Sequence, residues 1–184
     1  PAHDLHSGVH GGVAPNPAQG LARLIASLHR VGGAVAVEGF RDRVRPPSAE
    51  ELAFARQAAL TDEQYAAEVG CPPAGGERTL DAVARGSFEP TIEVNGLHSG
   101  YGGPGSKTVI PCGAFAKLSM RLVPDQRPAD TLAAVQKHLT DRCPPGMALS
   151  FSEPCVGAPG FRLPLNSPVF RLAADVLKQM DPRG

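Results

Sequence analysis

Hydrophobic and polar positions alternate most clearly between Pro90 and Pro124. Two extended runs stand there, Pro90–Asn95 and Ala114–Val123. In the second, Phe115, Leu118, Met120 and Leu122 are apolar while Lys117, Ser119 and Arg121 are polar, with one slip of the strict alternation at Leu118. That pattern predicts a strand with one face on a core. The connector, Gly96–Pro111, is too long and too rich in glycine for a tight hairpin. Two readings of it stand side by side, a solvent loop and a loop that contacts a ligand or another chain. The polar cluster Ser106, Lys107 and Thr108, braced by Val109, Ile110 and Pro111, favours the second.

Elsewhere the period lengthens to that of helices. Leu21, Leu24, Ile25 and Leu28 follow Asn16-Pro17, a cap and a first-turn proline, and predict a helix over about Pro17–His29 that Gly32-Gly33 ends. Pro128 opens a second amphipathic helix through Leu132, Val135 and Leu139. Ser167-Pro168 opens a last one, with Val169, Leu172, Ala173, Val176, Leu177 and Met180 apolar; a face so apolar at the chain's end predicts a partner surface elsewhere. Between the first helix and the first long strand, Val35–Phe40 reads as a short strand. Ser48-x-x-Glu51 and Thr61-x-x-Gln64 are capping boxes opening two helices, the second ending at Gly70, and Thr79 is placed to cap a short helix to Ala84. The stretch of about residues 40–86 is thus a helical insertion. Ala148–Val156 reads as a strand and 157–166 as irregular.

With the first residues counted as the end of a strand, the order is β, α, insertion, β, β, α, β. This predicts an α+β fold: a ferredoxin-like sandwich, a four-stranded antiparallel sheet with two helices on one face. One sheet face and one edge remain to be covered, and dimerisation covers both economically.

A chain of 184 residues can bury a core of its own. Its 18 basic and 18 acidic residues balance, and no dense basic run interrupts that balance, which argues against nucleic acid as the main partner. Aromatics, at 5% with no tryptophan, are too few for base-stacking platforms. No apolar run is long enough for a membrane span. Cys71, Cys112, Cys143 and Cys155 lie far apart without metal-ligand spacing and read as reduced thiols, Cys112 and Cys155 in strand-like runs, as expected of a cytoplasmic protein. The opening proline reads as the edge of an excised or processed segment.

The first residues, Pro-Ala-His-Asp-Leu-His-Ser-Gly-Val-His-Gly-Gly, admit three readings. His6 and His10 have the i, i+4 spacing of helical metal ligands, but Gly8, Gly11 and Gly12 disfavour a helix. Asp4, His6 and Ser7 are triad residue types, yet neighbours in sequence rarely point at one another as a triad requires. The third reading is a polar turn between strand and helix.

Four motifs in order, Asp4–Gly12, Pro90–Gly96, Gly105–Pro111 and Arg121–Pro124, resemble the lid or dimerisation domain of the two-zinc metallopeptidases, the family of carnosine dipeptidase, aminoacylase and glutamate carboxypeptidases. The resemblance covers nearly the whole chain, and the helical insertion brings it nearest the cytosolic dipeptidase branch. It implies a domain over residues 1–166, with 167–184 the start of a returning catalytic-domain helix. It implies two zinc ions in the parent enzyme, held by a catalytic domain outside these residues, with no metal bound and no hydrolysis by this chain alone.

The resemblance also implies roles. His6 matches a lid histidine that reaches into the partner subunit of a homodimer and stabilises the oxyanion of the tetrahedral intermediate, an effect of roughly 3–4 kcal/mol for such donors generally. Thr108 matches a polar residue that contacts the peptide or acyl-amino-acid substrate. Arg121 matches an arginine that grips the substrate carboxylate, for which its planar fork suits bidentate pairing. Asp4, Asn95 and Lys107 would support them. Where the family commonly carries a tryptophan-containing run after Asn-Gly, this chain has Leu97-His98-Ser99. A rival reading, from fold order alone, is a non-catalytic ferredoxin-like module that binds a ligand or a protein.

Overall fold

A computed structural model describes residues 1–152 and 154–180. The fold mixes helices with two two-stranded antiparallel ladders. The first ladder joins β1 (Leu5–His6) to β3 (Val109–Ile110), with Leu5 opposite Ile110 and His6 opposite Val109. The second joins β2 (Thr91–Ser99) to β4 (Ala114–Arg121), from Thr91 opposite Arg121 to Ser99 opposite Ala114. A bulge at Asn95 shifts the register between Val94 and Gly96.

Two helices lie against the long ladder. In α2 (Pro17–Ala26) Asn16 Oδ1 accepts from Ala18 N–H, and Leu24 is buried with Leu28 just beyond. In α6 (Pro128–Asp141) Val135 and Leu139 are buried. These four form one core with Ile92, Val37 and Phe40, and Leu118, Met120 and Leu122 pack against it. The register explains the slip in the β4 pattern. Leu118 and Met120 point to the core, while Phe115 shares the opposite face with Lys117, Ser119 and Arg121 and is 53% exposed.

The insertion forms as its caps predict. Ser48 and Thr61 complete capping boxes at α3 (Ala49–Ala58) and α4 (Asp62–Val69), and Gly70 ends α4 at φ +83°. The cap of α5 (Ala82–Phe88) is Asp81 rather than Thr79: Asp81 Oδ1 accepts from Ala84 N–H, whereas the Thr79 hydroxyl donates to Glu77. Arg162, from the irregular stretch, ties this insertion down. It lies over the Phe88 ring, donates to Arg45 C=O and stands 3.6 Å from Glu51. In α7 (Pro168–Met180), opened by the Ser167 hydroxyl, Phe170 meets Phe54 edge-on. The rest of its apolar face is exposed.

Several expectations are corrected. The four-stranded sheet is not formed among the described residues. Val35–Phe40 makes only a bridge, His29 with Val35, before a turn in which Phe40 N–H donates to Val37 C=O; its apolar residues belong to a buried turn. The first helix therefore stops at Ala26 and Ser27, short of His29. None of the described residues of 148–156 joins a ladder, although Leu149 packs on the core. Pro154 removes a ladder donor there; Glu153 and residues 181–184 lie outside the described residues. Residues Ser7–His10 form a single helical turn, α1, despite Gly8. Cys112 and Cys155 are exposed and not in strands.

Candidate functional site

The short ladder brings the first residues of the chain onto the segment 107–112. Ser7 N–H donates to Thr108 C=O at 3.1 Å, extending the β1–β3 pairing by one bond. On the other side Asp4 Oδ1 accepts from Cys112 N–H at 2.8 Å. That bond and one from the Cys112 thiol hold the Asp4 carboxyl below its ordinary range, with Lys107 and His3 adding favourable charge. Asp4 is thus a latch between the two segments, and Lys107 contributes to its field.

Between these fastenings His6 is held at both ring nitrogens. Its Nδ1 accepts from Gly8 N–H at 3.0 Å, which makes His6 the side-chain cap of α1. Its Nε2 lies 3.1 Å from Thr108 Oγ1. A neutral ring whose Nδ1 accepts carries its proton on Nε2, so the ring offers a donor there. The structure therefore brings together His6, Thr108, Asp4 and Lys107, from opposite ends of the sequence. All four are exposed. An open groove of about 720 Å³ lies beside them, lined by Ser7, Gly12, Asn16, Arg23, Val109 and Met147, but neither His6 nor Thr108 belongs to its walls.

Arg121 is not brought to this cluster. It ends β4, an eight-residue strand whose other end leads back to β3 through Pro111–Gly113. At about 3.3 Å per residue that strand separates its ends by roughly 25 Å. Arg121 shares its exposed face with Ser119, whose hydroxyl donates to Asn95 Oδ1 at 3.1 Å. Asn95, the bulged residue, is thereby turned toward the face of Arg121 rather than toward His6. On the same face His98 stacks obliquely on Phe115, with centroids 5.5 Å apart.

Two residues of the cluster were not legible as such. Gly8 counted only as a helix breaker, and Cys112 as a small apolar group; their contributions are backbone N–H groups, which no side-chain pattern signals. Among the described residues no group of three or more His, Cys, Asp and Glu side chains converges as a metal ion requires. The donor set of the cluster fits an oxyanion or a carbonyl instead. No helix of the described residues is long and apolar enough to cross a membrane.

A family profile described as peptidase dimerisation domain matches residues 1–147. The chain is 30% identical over 138 residues to the Cys-Gly metallodipeptidase DUG1 of Saccharomyces cerevisiae, a match covering 75% of this chain and 29% of that protein. Among solved structures it is similar to an M20 family metallo-carboxypeptidase, Sso-CP2 from Sulfolobus solfataricus. The TM-score is 0.81 at 31% identity, over 97% of this chain and 46% of the other. It is also similar to human carnosine dipeptidase 1, with a TM-score of 0.66 at 29% identity over 77% of this chain and 30% of that one. The chain spans under a third of the length of the curated relative it matches. With a matching profile over most of its length, the chain belongs to the M20 peptidase dimerisation-domain family.

Proposed function

We propose that this chain is the dimerisation and substrate-capping domain of a zinc-dependent dipeptidase or carboxypeptidase that works as a homodimer in the cytoplasm. His6 Nε2–H would turn from Thr108 to the oxyanion formed in the partner subunit's site, with the Thr108 hydroxyl contacting substrate beside it. Arg121 would hold the substrate carboxylate in the site of its own subunit. The two zinc ions would belong to residues outside this chain, where they would polarise the scissile carbonyl and activate water. By itself the chain would hydrolyse nothing.

The observation that carries this reading is that His6 and Thr108 form a hydrogen-bonded pair that is exposed to solvent and keeps a donor free to face outward. A hydrogen-bond donor facing bulk water stabilises little, because solvent competes for the same charge; enclosed against a second surface it is worth far more. A built donor without walls of its own is therefore a part of a site completed elsewhere. The exposed valines flanking it, Val9 and Val13, fit the edge of a contact surface. The roughly 25 Å length of β4 agrees with His6 and Arg121 serving two different sites. Residues 167–184 would return to the catalytic domain, whose surface would cover the exposed face of α7.

The reading is tested in the longer enzyme that carries this chain. Replacing His6 by Ala lowers turnover strongly and stability little; unchanged turnover contradicts the role given to His6.

A further inference from the structure

We propose that Gly8 is the positioning residue that sets which nitrogen of His6 carries the proton, and so the direction of a hydrogen-bond relay ending at the Thr108 hydroxyl. The inference rests on two features of one glycine. Its N–H donates to His6 Nδ1 at 3.0 Å. Its missing side chain is what lets the ring approach: a Cβ at position 8 would stand 2.8 Å from His6 Cε1 and 3.1 Å from Nδ1. The first of these is closer than a Cβ contact tolerates. A side chain at position 8 would therefore make the ring shift relative to its donor, even though the main-chain N–H remained.

The direction of the relay follows from the donors. A backbone N–H only donates, so Nδ1 can only accept, and the single proton of the neutral ring sits on Nε2. Nε2–H then donates to Thr108 Oγ1, 3.1 Å away. Having accepted, the Thr108 hydroxyl is left with its own O–H free to donate outward. The cluster thus exposes one donor of fixed polarity, the Thr108 O–H, with Nε2–H engaged behind it, and no acceptor from the ring. Were the ring in its other tautomer, Nδ1–H would face Gly8 N–H, donor against donor, and Nε2 would repel an oxyanion. The tautomer claim stands on hydrogen bonding alone; its use in catalysis rests on the function proposed above.

The test is the long-range 1H–15N correlation spectrum of the 15N-labelled chain above pH 8, where the six histidines report their tautomers. His6 is expected to show one form, with Nε2 protonated. Gly8→Ala is expected to lose that single pattern, while the spectra of His98 and His138 stay unchanged and show that the fold is intact. Thr108→Val removes the acceptor of Nε2 but not the donor to Nδ1, and is expected to keep the Nε2–H form. A single Nε2–H form surviving in Gly8→Ala would overturn the proposal. So would its loss in Thr108→Val alone, since Thr108 would then set the tautomer. If the tautomers behave as expected but His6→Ala leaves turnover of the longer enzyme unchanged, the catalytic reading fails and the role of Gly8 stands.

Discussion

His6 Nε2 lies 3.1 Å from Thr108 Oγ1, a contact between residues 102 positions apart in the chain. Two short strands of two residues each bring it about, fastened on one side by Ser7 N–H on Thr108 C=O and on the other by Asp4 on Cys112. In the longer enzyme, His6→Ala is expected to lower kcat by about 10²–10³-fold. Because His6 is exposed and caps only a single helical turn, the accompanying loss of unfolding free energy is expected to be about 0.5–1 kcal/mol. Steady-state kinetics and thermal unfolding of one preparation measure both.

Asp4 makes the same cluster sensitive to acid. Its folded value is depressed, so the latch on Cys112 is fully present above the unfolded carboxylate value near 3.9 and is lost as pH falls through the lower folded value. Amide exchange at Cys112, corrected for its intrinsic rate, is expected to accelerate as pH drops below that range. Asp4→Ala is expected to show the fast exchange already at neutral pH. Slow exchange in that variant would assign the latch to the β1–β3 ladder instead.

A second titration lies in the core. His138 of α6 is 5% exposed, and its Nε2 stands 3.1 Å from both the carbonyl and the hydroxyl of Ser27 at the end of α2. The Ser27 hydroxyl already donates to Leu24 C=O, so Nε2 is the donor to Ser27. Burial holds the imidazole below its ordinary value, Arg142 pushes the same way, and the bond to Ser27 and the charge of Asp141 oppose them. With a depressed folded value, the stability linked to this group is present above the unfolded value near 6.5 and is lost as pH falls toward the folded one. The urea midpoint of the wild type is therefore expected to fall from pH 7.5 to pH 5.5, and by less in His138→Gln. Equal falls in both would show that His138 is not the group responsible.

Gln126 is the other buried polar side chain whose removal is expected to be felt. Its Oε1 accepts from Val123 N–H at 2.9 Å, and its Nε2 donates to Phe40 C=O at 2.6 Å, joining the buried turn to the end of β4. Gln126→Ala leaves both backbone groups unpaired. At about 1–3 kcal/mol for each unsatisfied group, a loss of roughly 2–6 kcal/mol is expected. Differential scanning calorimetry should record a Tm lower by about 4–24 °C.

What was legible in the sequence was whatever depended on local pattern. The capping boxes at Ser48 and Thr61 form as written, because each needs only residues three apart. The apolar faces of α2 and α6 were readable for the same reason, as was the paired character of β2 and β4. The failures lie where burial came without regular structure. Val37 and Phe40 are as buried as any strand residues, yet they sit in a turn held by Gln126, a partner 86 positions away from Phe40. Residues 148–156 carry an apolar pattern but a proline where a ladder would need a donor. At the candidate site the resemblance supplied His6, Thr108 and Arg121, and the structure joined only the first two. The bonds that fix them come from the N–H groups of Gly8 and Cys112, which carry no side-chain signature.

The division of labour proposed for His6 and Arg121 is open to a direct measurement, the activity of mixed dimers. The longer enzyme would be co-expressed as two differently tagged forms, one His6→Ala and one Arg121→Ala, and the doubly tagged dimer purified. If His6 serves the partner's site and Arg121 its own, each mixed dimer holds one site with both residues intact and one with neither. Such dimers are then expected to show about half the wild-type turnover per dimer, although each parent variant alone is nearly inactive. If both residues serve the same subunit's site, every site carries one defect. The mixed dimers would then be as inactive as their parents, and the cross-subunit role of His6 would be wrong.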